Sequence, residues 1–184
     1  MIDLSNVKAP GWARIVAELN APAPDDRTFL HRLVAVLAQV SGARQGVLWA
    51  VEPAGSEGAA ADPRPLFVWP IPAQGEQPPE LIGGADVRAA ARSGADSGQL
   101  GVYGLEGGGT FYGEQDGNCI VAVPIQSGEQ APGPKGVATL LIEHRSKQAL
   151  QTTTALVEVL AGYIHLHASR QQLRRTRSAT ASLD

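Results

Sequence analysis

The chain has 184 residues, 43% of them hydrophobic, and a formal net charge of −3. Its length fits one domain, and recurrent apolar runs without a three-residue glycine period exclude collagen-like and disordered classes. One cysteine, Cys119, leaves no intramolecular disulfide or multi-cysteine zinc site, and the longest apolar stretches, Cys119 to Ile125 and Gly136 to Ile142, fall short of the ~20 residues of a membrane helix. A reducing, cytoplasmic setting is the expectation, since the first residues show no basic segment leading into an apolar one. All glycines and prolines except Pro10, Gly11, Pro22, Pro24, Gly42 and Gly162 lie between residues 46 and 136. Helical ends around a strand-rich centre follow, because these two residue types interrupt helices and punctuate strands.

In chain order, Trp12, Ile15, Val16 and Leu19 share one face of a first helix that Pro22 and Pro24 end. Asp25 or Asp26 caps a second helix with Phe29, Leu33, Val36, Leu37 and Val40 at helical spacing and Gly42 at its end. Gly46 to Glu52 reads as a strand buried on both faces, and Leu66 to Trp69 as its antiparallel partner across a long Ala/Gly/Pro/Ser-rich tip. Ala85 to Arg92 is predicted as a short helix ended by Ser93-Gly94 and burying little. A strand follows at Leu100 to Leu105, a short extra strand around Phe111-Tyr112, and a hairpin of Cys119 to Gln126 with Gly136 to Arg145. From Lys147 the chain has no proline, and Leu150, Val157, Leu160, Tyr163 and Ile164 form the stripe of a long helix expected to pass Leu173.

This order, together with Gly46-Val47-Leu48-Trp49, Val121-Ala122-Val123-Pro124-Ile125 and Lys135-Gly136-Val137-Ala138-Thr139-Leu140-Leu141, resembles the GAF domain family over roughly residues 12 to 168. PAS-like and roadblock-like sensor folds are the alternatives. The resemblance implies an α+β sandwich with a central antiparallel sheet of five or six strands. The N-terminal helices and the long C-terminal helix would lie on one face, with a lid of loops and a short helix on the other. It divides the chain into a GAF-like domain at 1–168 and a helix extension or linker to a downstream module at 169–184. The family's usual ligand pocket lies under the lid. The residues assigned there are Phe67, Trp69, Arg88, Arg92, Tyr103, Phe111 and Tyr112; Arg88 and Arg92 are the only basic residues between 65 and 134. They suit an anionic or planar ligand, against the plainer reading of sheet packing and solvated arginines.

No cofactor is expected. The Asn-Lys-Phe-Asp-Glu constellation of cyclic-nucleotide-binding members is absent, Cys119 falls in a predicted central strand rather than in the lid where bilin attaches, and His31, His144, His165 and His167 lie outside the lid. His165 and His167 point about 200° apart on a helix and cannot share a metal. Cys119 reads as a small buried apolar residue. Enzyme signatures are missing as well: Gly94-Ala95-Asp96-Ser97-Gly98 places its serine one position away from a nucleophile elbow, and Gly107-Gly108-Gly109 lacks dinucleotide-loop spacing.

The functional expectation is a non-enzymatic sensory or regulatory domain that binds a small molecule and signals through its last helix to an unknown downstream domain. The alternative is a ligand-free interaction module, a homodimer through the first and last helices with Trp12, Leu19, Val157 and Tyr163 in contact. Arg170, Arg174, Arg175 and Arg177 make the chain's end basic, but without interleaved aromatics they are read as a solvated helix; neither nucleic-acid binding nor membrane insertion is expected.

Overall fold

A computed structural model describes residues 10–52, 62–71, 80–105, 117–125, 135–144 and 147–163. Helix α2 (Asp26–Ser41) has both ends fixed by its own sequence. The Asp25 carboxylate accepts the Thr28 backbone N–H at 2.6 Å, satisfying one of the orphan donors of the first turn. At the other end Gly42 adopts φ +66° while its N–H reaches Gln39 O and the Ala43 N–H reaches Ala38 O at 2.8 Å, the double closure of a Schellman motif. Helix α1 (Pro10–Asn20) is tied to α2 by Arg32, whose Nη1 donates to the carbonyls of Glu18 and Ala21 at 3.0 and 2.8 Å. A side chain of α2 thus satisfies carbonyls at the end of α1, where the helix has none of its own donors left.

The five strands β1 (Gln45–Val51), β2 (Arg64–Trp69), β3 (Gly101–Gly104), β4 (Gly117–Ile125) and β5 (Lys135–His144) form one antiparallel sheet in the order β2-β1-β5-β4-β3. β1 is buried at every position. That burial requires cover on both faces, and strand alternation says which residues each cover receives. Leu48 of β1, Cys119, Val121, Val123 and Ile125 of β4, and Ala138, Leu140 and Ile142 of β5 face α1, α2 and α4 (Lys147–Ala161). Val47, Trp49 and Val51, Ile120 and Ala122, and Val137 and Leu141 face helix α3 (Gly84–Ser97) instead. The architecture is therefore an α+β fold on a five-stranded antiparallel sheet, as the resemblance implied, with α2 and α4 packed on one face, α1 against α2, and α3 on the other.

The structure corrects two expectations. Helix α3 does not stop at Ser93-Gly94; it runs to Ser97, ends on Gly98 at φ +64°, and buries Val87, Ala90, Ala91, Gly94 and Ala95. A Cβ on Gly94 would stand 3.2 Å from Ala122 Cβ and 3.3 Å from Val137 Cγ1, so this glycine marks close helix-to-sheet approach and not a helix end. Leu19 and Val157, assigned to a dimer contact, are instead buried in the chain's own core between α1, α2 and α4. Intramolecular packing of the apolar stripes satisfies them before any second copy can. Tyr163 packs partly against the same core, and the Trp12 side chain lies outside the described residues. The strand expected around Phe111-Tyr112 and the helix continuation and extension expected beyond residue 163 also lie outside the described residues.

Candidate functional site

The α3 face of the sheet is the candidate site. Its floor is Trp49 with Val47, Ile120 and Leu141, and its roof is the small-residue face of α3. Trp49 is fully buried, and its indole Nε1 donates to Thr139 Oγ1 at 2.8 Å, which satisfies the one polar atom of the largest side chain in the interior. Because Thr139 is itself buried on β5, this bond locks the ring across the β1–β5 pair.

The entrance to α3 is held by Gln45, whose side chain is 3% exposed at the start of β1. Its Nε2 donates to the Glu80 carbonyl at 3.0 Å, and its Oε1 accepts the Ile82 N–H at 3.1 Å. Both ends of a buried amide are thereby used on one stretch of backbone. Gly83 follows at φ +64°, a left-handed conformation that glycine adopts without cost, and Leu105 Cδ2 occupies the place a Cβ would take. At the far end the Ser97 hydroxyl accepts the Gln99 N–H at 3.2 Å. The near-elbow sequence Gly94 to Gly98 is thus the closing turn of α3, with its serine engaged in local backbone bonds.

The predicted site residues do not converge. Phe67 and Trp69 pair with Leu48 and Gly46 across the β1–β2 ladder and pack on the α2 side of the sheet. Tyr103 pairs with Ile120 and packs on the α3 side, its ring lying over Gly101, where a Cβ would come within 2.7 Å of Cε2. Arg88 is exposed on α3, and Arg92, part-buried with its Nε shut off from solvent, reaches Asp62 Oδ1 at 3.1 Å on a carboxylate that stands in solvent. Such a pair adds at most about 1 kcal/mol. Phe111 and Tyr112 lie outside the described residues.

Gln45, Trp49, Gly94 and Thr139 were not among the predicted residues. The available signals were a glutamine flush against an apolar strand, and a tryptophan inside a strand expected to be buried on both faces.

On the α2 side Cys119 and His31, besides the capping Asp25, have altered acidity. Burial pushes the Cys119 thiol up to about 11, so it stays protonated and closed to reagents in the core. His31 of α2 stacks on Phe67 with ring centroids 4.1 Å apart and planes at 19°. Partial burial holds its pKa below the ordinary imidazole value, with the Arg27 charge acting in the same sense and Asp25 opposing. Among the described residues no group of three or more His, Cys, Asp or Glu could hold a metal ion, and no helix is long and apolar enough to cross a membrane.

No protein-family model and no curated protein matches the chain. Solved structures similar to it include the GAF domain of an Acinetobacter phosphoenolpyruvate-protein phosphotransferase, at 14% identity and a TM-score of 0.46 over 86% of this chain and 94% of that one. The GAF-B domain of DevS from Mycobacterium smegmatis is similar at 18% identity and a TM-score of 0.44, covering 80% and 99% of the two chains. A GAF domain/HD domain protein from Geobacter sulfurreducens matches at 16% identity and a TM-score of 0.44, covering 83% and 98%. At these identities and scores the site's own geometry has to carry any functional reading.

Proposed function

We propose that the chain is a non-catalytic, GAF-like sensory or regulatory domain that takes a small molecule between the sheet and α3 and passes the response to a neighbouring module through its C-terminal helix. The observation that carries this reading is the inequality of the sheet's two covers. Among the described residues, one face is closed by helices through large aliphatic side chains, whereas the other is covered by α3, whose inner face is alanine and glycine apart from Val87, with Leu81, Tyr103 and Leu105 beside it. Lifting that single helix would uncover Trp49, Val47, Ile120 and Leu141, an apolar floor suited to a planar or hydrophobic group.

The route for a response runs through the strands. In β4, Ile120 and Ala122 face α3 while Cys119, Val121 and Val123 face the other side, where α4 packs on β4, β5 and α2. A ligand that favours one seat of α3 over another acts on the same two strands that seat α4, which is the differential contact a signalling domain requires. Native mass spectrometry of the purified chain tests the ligand reading. A small-molecule adduct that departs on unfolding is expected; bare chain mass in every preparation overturns it.

A second reading, a homodimer through the terminal helices, is favoured by Val159, which is 55% exposed on α4 beside a fully buried Val157. Sedimentation at micromolar concentration should then show a dimer that Val159→Lys dissociates. A monomer throughout removes this reading and leaves the ligand reading intact.

A further inference from the structure

We infer that Gln45 is a latch that ties α3 to the sheet, and that α3 opens as a unit when the latch is released. Three observations meet in this assignment. The Gln45 amide spends its donor and its acceptor on Glu80 O and Ile82 N, the two backbone groups immediately ahead of α3. Both partner residues are themselves exposed, so their backbone groups can turn to water once released, whereas the Gln45 side chain is buried. The helix beyond rests on the sheet through Val87, Ala90, Ala91, Gly94 and Ala95, side chains that themselves bury less apolar area than the leucines, valines and phenylalanine of α2, so the sheet residues opposite, Trp49 foremost, set most of the apolar cost of opening. A helix with small inner side chains and a buried polar fixture ahead of its first turn is an arrangement that favours local opening below global unfolding. The latch stands without any ligand; its use as a gate over Trp49 rests on the function proposed above.

Hydrogen exchange of the ligand-free chain tests the latch separately from that function. In the wild type, amides of α3 should exchange through a shared opening at least about tenfold faster than those of α2 and β5. Gln45→Met keeps the length of the side chain and removes both bonds; it should speed α3 exchange by a further ten- to a hundredfold, about the loss of two neutral hydrogen bonds, with α2 changed less than twofold. Ile82→Pro deletes one donor from the exposed side without touching β1, and a smaller acceleration confined to α3 is expected there, so the inference stays testable if Gln45→Met does not fold. Wild-type α3 amides as slow as those of α2 overturn the inference, as does an equal acceleration of α2 and α3 in the variants, or none.

Discussion

Helices α2 and α3 lie on opposite faces of one sheet, and they are held by different means. α2 presents Phe29, Leu33, Val34, Val36, Leu37 and Ala38, has a side-chain cap at its start and a Schellman closure at its end, and shares its burial with α1 and α4. α3 presents one valine, three alanines and a glycine, begins on Gly83 with no side-chain cap, and relies on Gln45 for its entrance. The difference teaches that the same strands can carry a fixed cover and a removable one. Large aliphatic side chains bring about 1.5–3 kcal/mol each when buried, and alanines far less. Small side chains in turn allow the close approach that a larger residue would prevent.

The largest expected effect comes from the fixed side. Leu33 is fully buried at the centre of α2, and Leu33→Ala should lower unfolding free energy by about 2–5 kcal/mol, read as a shift of the urea midpoint with unchanged slope. Val87→Ala, the corresponding truncation on α3, removes fewer carbon atoms from a thinner interface and should cost distinctly less. Equal losses at the two sites would break the comparison.

A middle-sized effect is expected at Gly94. Its missing Cβ is where Ala122 and Val137 come close, so Gly94→Leu forces α3 off the sheet at about 1–3 kcal/mol by overpacking. Ser93→Leu, one position along and exposed, should stay within about 0.5 kcal/mol. If Gly94→Leu proves neutral in thermal and chemical denaturation, α3 is not seated closely at that point.

The smallest effect is a pH dependence on the α2 side. Because burial disfavours the His31 imidazolium, the folded chain binds this proton less readily than the unfolded chain. Its contribution is therefore complete above the ordinary value of 6.5 and is lost as pH falls from there through the lower folded value. His31→Phe keeps a ring on Phe67 and removes the titration, so the difference in stability between about pH 7.5 and about pH 5.5 should shrink. An unchanged difference would assign that slope to other groups.

Features set by near neighbours in the chain were legible beforehand. Asp25 and Gly42 bracket α2 as expected, β1 is buried on both faces, and β4 and β5 pair as a hairpin, because caps and strand alternation depend on residues a few positions apart. Gly94 was misread for a physical reason: in sequence a glycine after eight helical residues signals an end, yet here the missing side chain answers to Ala122 and Val137, residues 28 and 43 positions away. The site residues were misgrouped in a similar way. Phe67, Trp69 and Tyr103 are aromatics beside lid segments, but strand register sends the first two to the α2 face and the third to the α3 face. A one-residue change of register would exchange those faces, so chain order alone does not group them.

By itself the sequence determined the order of the described elements, the caps of α2, the buried central strand and the antiparallel hairpins, since these follow from local propensity and apolar periodicity. Only the tertiary structure decided which aromatics share a face, that Gly94 is a contact and not a stop, and that Gln45 reaches 35 and 37 residues ahead to Glu80 and Ile82. Those outcomes depend on which backbone arrives beside a given side chain, and that is fixed by strand register and by the packing of distant elements.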